Sequence, residues 1–230
     1  MLQLNNITFS YSKSDLLFNN LSLVLNPKNS YALMGGNGAG KTTLFNIISG
    51  YIKPTKGQIN FLSQDISKLS PFEINLKGIG RTFQDLRLIR KLTVKENIVL
   101  AMKNNPNDKW YNSVFHFRHH QDKISHLNNL AEEIISIFFL EKFSDSLASA
   151  LSFGQQKLLS LACCYSNDAT LLLLDEVVSG IQPEFQKKIV RLIETLKSKG
   201  KTIFFVEHDT NFISDVSDEI LFLHQIGSVV

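Results

Sequence analysis

The run "GGNGAGKTT", residues 35–43, constrains this chain more than any other stretch. It has the spacing glycine, four residues, glycine, lysine and a hydroxyl residue through Gly35, Gly40, Lys41 and Thr42. Such a run works where a strand delivers the backbone into a tight turn and a helix carries it away. The glycines let amides turn inward, the helix adds its N-terminal dipole, the lysine reaches outer phosphates, and the hydroxyl can ligate magnesium. Here "YALM" before the run is strand-like and "TTLFNII" after it has helical spacing. The set Gly35, Asn37, Gly38, Ala39, Gly40, Lys41, Thr42 and Thr43 is therefore expected to cradle a nucleoside triphosphate with Mg2+. A merely flexible glycine turn would not require that flanking strand and helix.

An α/β chain follows from the remaining pattern. Residues 2 to 9, 21 to 25 and 30 to 34 read as short strands, and "IKPTKGQINFL" returns through Pro54 and Gly57 to another. From about Leu86 to Ala150 the character becomes helical, in "TVKENIVLAM" and "ISHLNNLAEEIISIFFLEKF", joined by an aromatic and histidine-rich stretch. Alternation then resumes: "ATLLLLDE" as strand, "PEFQKKIVRLIETLKSKG" as an amphipathic helix ended by Gly200, and "KTIFFVEH" and "DEILFLHQ" as strands. The runs "LLLLD" and "TIFFV" lack polar alternation, as expected of strands covered on both faces of a parallel sheet. At the end of the first, Asp175 is placed to reach a magnesium ion, and Glu176 is a candidate general base for water. Hydrolysis is expected rather than simple storage of nucleotide.

Composition narrows the classes of function. A chain of 230 residues supports one substantial core with a subdomain. The 24 Lys and Arg against 21 Asp and Glu leave a net charge of +3, too small an excess to argue for nucleic acid. The only two cysteines, Cys163 and Cys164, adjoin one another in an apolar helix-like stretch, which suits reduced thiols better than a disulfide or a metal site. No signal peptide is visible in "MLQLNNITFSYS", and no uncharged apolar run reaches the roughly 18 residues a spanning helix needs. Any link to a membrane is expected to come through a partner.

The polar run "LSFGQQ", residues 151–156, interrupts an apolar neighbourhood. Ser152 can cap the helix that follows, but a cap alone does not account for Gly154 and Gln155. Taken in order, "GGNGAGKTTLFN", "RTFQ", "LSFGQQ", "LLLLDE" and "VEHD" resemble the nucleotide-binding subunit of an ATP-binding cassette (ABC) transporter, over nearly the whole chain. The resemblance implies a P-loop NTPase core with a mostly parallel sheet, an N-terminal antiparallel β subdomain and an inserted helical subdomain. Residues 1–230 would form one ABC ATPase domain, with 1–85 and 157–230 as core and 86–156 as helical subdomain ending in the signature "LSFGQQ". It implies two cassettes, identical or different, paired head to tail. Ser152, Gly154 and Gln155 of one would then close on the ATP held by the other, where a serine hydroxyl and helix-terminal amides suit phosphate oxygens. By the same resemblance Gln84 contacts magnesium and the attacking water, His208 senses the γ-phosphate, and Tyr11 stacks on adenine. Val177 stands where relatives often carry proline, Gln182 where many carry aspartate or asparagine, and Phe153 in place of the more common second glycine. None of these departures removes a catalytic group.

Within the family, "GNGAGKTTLFNIISGYIKPTKGQINF" and "GIGRTFQDLRLIRKLTVKENI" look most like the subfamily that energises branched-chain amino acid importers. That implies transmembrane permease subunits, a solute-binding protein for an importer, and a cytoplasmic position on the inner face of the cell membrane. The alternatives are the ATPase of a lipid or lipopolysaccharide exporter, or a soluble ABC ATPase acting on ribosomes or DNA. The chain stops at "IGSVV" where relatives commonly continue into a C-terminal helical segment. His116, His119 and His120 lack a carboxylate or cysteine set to complete a metal site. Trp110, Tyr111, Phe115 and Phe117 are equally compatible with a partner-facing surface and with local packing.

Overall fold

The computed structural model describes residues 1–12, 15–83, 85–102 and 117–226. Two sheets organise these residues. The first is antiparallel, in the order β2-β1-β4-β5, from β1 (Leu2–Ser12), β2 (Asp15–Leu25), β4 (Lys56–Phe61) and β5 (Gln64–Asp65). The second is parallel, in the order β6-β7-β8-β3-β9, from β3 (Ser30–Met34), β6 (Ile79–Arg81), β7 (Leu171–Asp175), β8 (Thr202–Val206) and β9 (Glu219–Phe222). Helices α1 (Lys41–Ile48), α2 (Pro71–Leu76), α3 (Val94–Ala101), α4 (Phe117–Ile137), α5 (Phe153–Ser166), α6 (Pro183–Ser198), α7 (Thr210–Val216) and α8 (Leu223–Ile226) complete the architecture.

The unbroken apolar runs of β7 and β8 have a direct cause. Leu172 and Leu174, with Ile203 and Phe205, enter one core beneath α3 to α7. Leu171 and Leu173, with Phe204 and Val206, enter a second core shared with α1 and the antiparallel sheet. Since successive side chains of a strand point to opposite faces, both faces must be apolar. Pairing of Asp175 with Val206 levels the carboxyl ends of β7 and β8, and β3 lies on the other side of β8. Three loops therefore leave the sheet at one edge, the edge where ligands bind in open α/β folds.

Two expectations from the sequence need correction. The N-terminal hairpin is longer than residues 2 to 9 and 21 to 25, because β1 and β2 are 11 residues each. Register shifts, together with left-handed backbone at Asn6 (φ 53) and Asn20 (φ 55), break the alternation by which such strands are recognised. "DEILFLHQ" is strand only as far as Phe222, after which Leu223–Ile226 turns helical. A short apolar run fits either conformation. The aromatic stretch holding Trp110, Tyr111, Phe115 and His116 lies outside the described residues, as do the side chains of Phe117, His119 and His120.

Between β6 and β7, local capping sets the helix boundaries. Thr93 and Glu96 form a capping box on α3, and Ser152 and Gln155 form one on α5. The buried Asn97 side chain donates to the carbonyls of Ile89, Leu92 and Thr93 and accepts from the Ile89 amide, pinning the segment that leads out of the "RTFQ" region.

Candidate nucleotide-hydrolysis site

Strand β3 is almost wholly buried and delivers the chain into the loop of residues 35–40. Gly40 ends that loop with φ 99, at the N-cap of α1. A Cβ there would lie 2.9 Å from the Phe18 ring, so both backbone and space require glycine. The Lys41 ammonium turns back over the loop and donates to the carbonyls of Gly35 at 2.7 Å and Gly36 at 2.9 Å. Those contacts hold a positive charge at the mouth of the cradle, ready for exchange with phosphate oxygens. Thr42 is exposed, whereas Thr43 is buried and bonds the Tyr11 hydroxyl at 2.8 Å. The Tyr11 ring, 61% exposed and set edge-on against Phe9, thus offers a free aromatic face beside α1.

Across a cleft of about 250 Å³, residues Asn37 to Thr43 face Glu176 and His208. Glu176 leaves β7 with left-handed backbone (φ 50), its N–H bonded to the Val206 carbonyl at 3.0 Å. Such a conformation is strained for a glutamate and occurs where surrounding structure imposes it. Its Oε1 lies 3.5 Å from His208 Nε2, an ion pair when the imidazole is protonated. Such a carboxylate can accept a proton from water held in the cleft.

Asp175 is buried at the end of β7, with Arg81 3.7 Å away. Burial raises its pKa, opposed chiefly by the Arg81 guanidinium and more weakly by the Lys41 charge. Arg81 is itself held by Asn46 Oδ1 at 2.7 Å and Ser49 Oγ at 2.8 Å, and burial lowers its pKa. The Thr42 hydroxyl and the Asp175 carboxylate are hard oxygen donors of the kind magnesium takes, although Asp175 faces Arg81 and is not among the residues that line the cleft. Among the described residues no group of three or more His, Cys, Asp or Glu is gathered to hold a metal, so nucleotide phosphates would have to complete the shell.

Ser152, Gly154 and Gln155 are not among the residues that line this cleft. Ser152 is exposed at the start of α5, where its hydroxyl accepts from the Gln155 amide while Gln155 Oε1 accepts from the Ser152 amide. Gly154 packs against α6, since a Cβ there would meet the Phe185 ring at 3.0 Å. The expected contact of Gln84 lies outside the described residues. Cys163 and Cys164 are partly buried against the larger core, and burial pushes their thiols up to about 12, which makes them inert.

A family model described as ABC transporter matches residues 18–179. The chain belongs to the ABC transporter family. The branched-chain amino acid transport ATP-binding protein LivG of Escherichia coli is 35% identical over 214 residues, covering 91% of this chain and 83% of that one. BraF of Pseudomonas aeruginosa, a protein of the same description, is 31% identical over 215 residues with the same coverage. Among solved structures, an ATP-binding cassette of an ABC transporter in its ADP conformation superposes with a TM-score of 0.82 at 27% identity, covering 96% of this chain and 86% of that one. A dimeric cassette in a post-hydrolysis state with ADP and Pi gives 0.78 at 26% identity, covering 96% and 94%. As a member of the ABC transporter family, the chain is an ATP-binding subunit that hydrolyses ATP to drive transport. Among the described residues no helix is long and apolar enough to cross a membrane.

Three charged residues of this ABC subunit lie in or beside the motifs, yet the motifs alone assign them no role. Arg81 precedes "TFQ", Lys157 follows "LSFGQQ", and Glu207 precedes His208. Each is a charge adjoining an apolar run and each is largely buried. A lysine in the apolar register of "KLLSLACC" and a glutamate directly after "TIFFV" were visible signals, since such groups are rarely buried without partners.

Proposed function

We propose that the chain is the ATPase subunit of an importer for branched-chain amino acids or a related small solute. It would lie on the cytoplasmic face of a membrane, bound to permease subunits and supplied by a solute-binding protein. The names carried by LivG and BraF support the substrate class. The single observation that carries the mechanism is the cleft in which Lys41, Glu176 and His208 converge while Ser152 remains exposed elsewhere. One chain thus holds a phosphate cradle and a base, and offers a separate capped helix start to a second copy or a similar cassette.

In this reading the amides of Gly38 to Thr43 and the Lys41 ammonium bind the β- and γ-phosphates, and Tyr11 stacks on adenine. Thr42, Asp175 and Gln84 would hold Mg2+, which would supply positive charge to offset that of the phosphates. Glu176 accepts a proton from the attacking water, and His208 orients that carboxylate against the γ-phosphate. Ser152, Gly154 and Gln155 of the partner cassette close the face opposite Lys41. Hydrolysis removes the group that both cassettes grip, and the pair opens.

The test is to isolate the chain from its native membrane with its partners in mild detergent. The complex is reconstituted in vesicles and ATP-driven uptake of radiolabelled leucine is measured with the copurifying solute-binding protein. Coupled uptake supports the reading. Recovery of ribosomes or DNA, with no permease, overturns it, and permeases that move lipid instead overturn the substrate class.

A further inference from the structure

Lys157 lies in the second turn of α5, five residues after Ser152, and is 7% exposed. Its ammonium does not reach solvent along the helix but crosses to the turn after β7. There it donates to the carbonyls of Glu176 at 2.7 Å and Ser179 at 2.6 Å. Between those carbonyls the Val178 amide donates to Glu207 Oε1 at 2.7 Å. Glu207 is 4% exposed and directly precedes His208, whose Nε2 faces Glu176. Helix α5, the turn of residues 176–179 and the end of β8 therefore form a closed loop of contacts around one carboxylate. A lysine that served only to cover apolar surface would send its charge outward; this one donates to the Glu176 carbonyl, in the peptide that follows its left-handed backbone, and to Ser179 at the far end of the turn.

We propose that Lys157 is a positioning residue, which with Glu207 ties the start of α5 to the backbone of Glu176, so that engagement of Ser152 by one nucleotide sets the base that serves the other. The proposal rests on the head-to-tail pairing and the role of Glu176 given above. A helix of 14 residues moves as a unit, so a shift at Ser152 carries Lys157 with it. The turn it grips cannot follow by bending alone, because Glu207 anchors its middle. Small displacements at the exposed helix start thereby become rotations of the Glu176 peptide.

Steady-state hydrolysis of MgATP by the full-length chain, in complex with its membrane partners, tests this with Lys157→Met, Lys157→Arg, Ser152→Ala and Glu176→Gln. Lys157→Met should lower kcat by about tenfold or more, with KM for MgATP nearly unchanged, because the interaction acts on the base and not on phosphate binding. Lys157→Arg, which keeps donors for both carbonyls, should recover at least about a third of the lost rate. Ser152→Ala should reduce kcat far less in the Lys157→Met background than alone, by about fivefold or more, as expected of residues acting through one path. If Lys157→Met does not accumulate as folded protein, Lys157→Gln, which keeps one donor group, takes its place under the same criteria. Unchanged kcat, a loss shared equally by KM and not restored by arginine, or fully multiplicative effects of Ser152 and Lys157 would each overturn the proposal. Glu176→Gln separates the two levels of inference. Loss of turnover in Glu176→Gln with full turnover in Lys157→Met sinks only the positioning role, whereas retained turnover in Glu176→Gln sinks the site assignment itself.

Discussion

Replacing Glu207 with glutamine should flatten the dependence of thermal stability on pH. The carboxyl is buried against the turn of residues 176–179, and burial pushes it from its ordinary 4.5 up to about 7, with the Glu176 charge adding weakly to the rise and the Val178 and His208 amides and the Lys157 charge opposing it. The folded chain therefore prefers the protonated form, while the unfolded chain ionises near the ordinary value. Stability contributed by this group is fully present below 4.5 and is lost as pH rises through about 7. A shift of about 2.5 units corresponds to roughly 3 kcal/mol in all, of which about 2.5 kcal/mol falls between pH 5 and pH 8. For a chain of this size that is about 5–10 °C in Tm. Wild type and Glu207→Gln are melted without nucleotide at pH 5, 6, 7 and 8 at constant ionic strength. The quantity of interest is the difference in Tm between them as a function of pH. Any fixed cost of the amide's unpaired N–H2 cancels in that comparison. The difference should move in favour of the variant by about 5–10 °C from pH 5 to pH 8. A difference flat to within about 2 °C would refute a carboxyl held protonated by burial.

Lys41→Ala should weaken nucleotide binding by roughly 10- to 100-fold in a fluorescence titration with a labelled ATP, the range for loss of a charge-assisted contact; unchanged affinity removes its phosphate assignment. Glu176→Gln should accumulate as a dimer in size-exclusion chromatography with ATP and Mg2+, and a chain that stays monomeric there contradicts the two-cassette mechanism. Gly80→Ala would place a methyl 2.8 Å from the Cys164 carbonyl and 3.0 Å from Ala169 Cβ, forcing β6 and α5 apart. Denaturant unfolding should show a loss of about 1–3 kcal/mol, and a change below about 0.5 kcal/mol would mean that this seam is looser than the distances indicate.

Local chemistry made much of the site legible beforehand. A loop whose glycines, lysine and threonine hold fixed spacing between a strand and a helix announces itself, because few backbones can use it. The strands that end at Asp175 and lead to His208 were legible for a different reason, since burial on both faces leaves an apolar run without alternation. Ser152 was legible as a cap from its place before a helical run, but Gln155, which that cap was not expected to explain, is the other half of its capping box. What stayed hidden depends on pairing across the chain. Bulges at Asn6 and Asn20 scramble the pattern of the first hairpin. The partners of Lys157 are backbone carbonyls 19 and 22 residues away, which carry no side-chain signature. Arg81 likewise gains meaning only when β6 lies beside β7 and sets its guanidinium against Asp175.

The alternation of β7 between two cores bears on how this sequence can drift. Leu171 and Leu173 share a compartment with Phe204, while Leu172 and Leu174 share the other with Phe205. The sheet is a common wall, so volume lost on one side cannot be refilled from the other. Neighbours in sequence should therefore accept changes independently, and compensating exchanges should link every second residue of β7 to every second residue of β8. A record of co-variation along these strands would read as two interleaved histories, one for the nucleotide side of the molecule and one for the helical side.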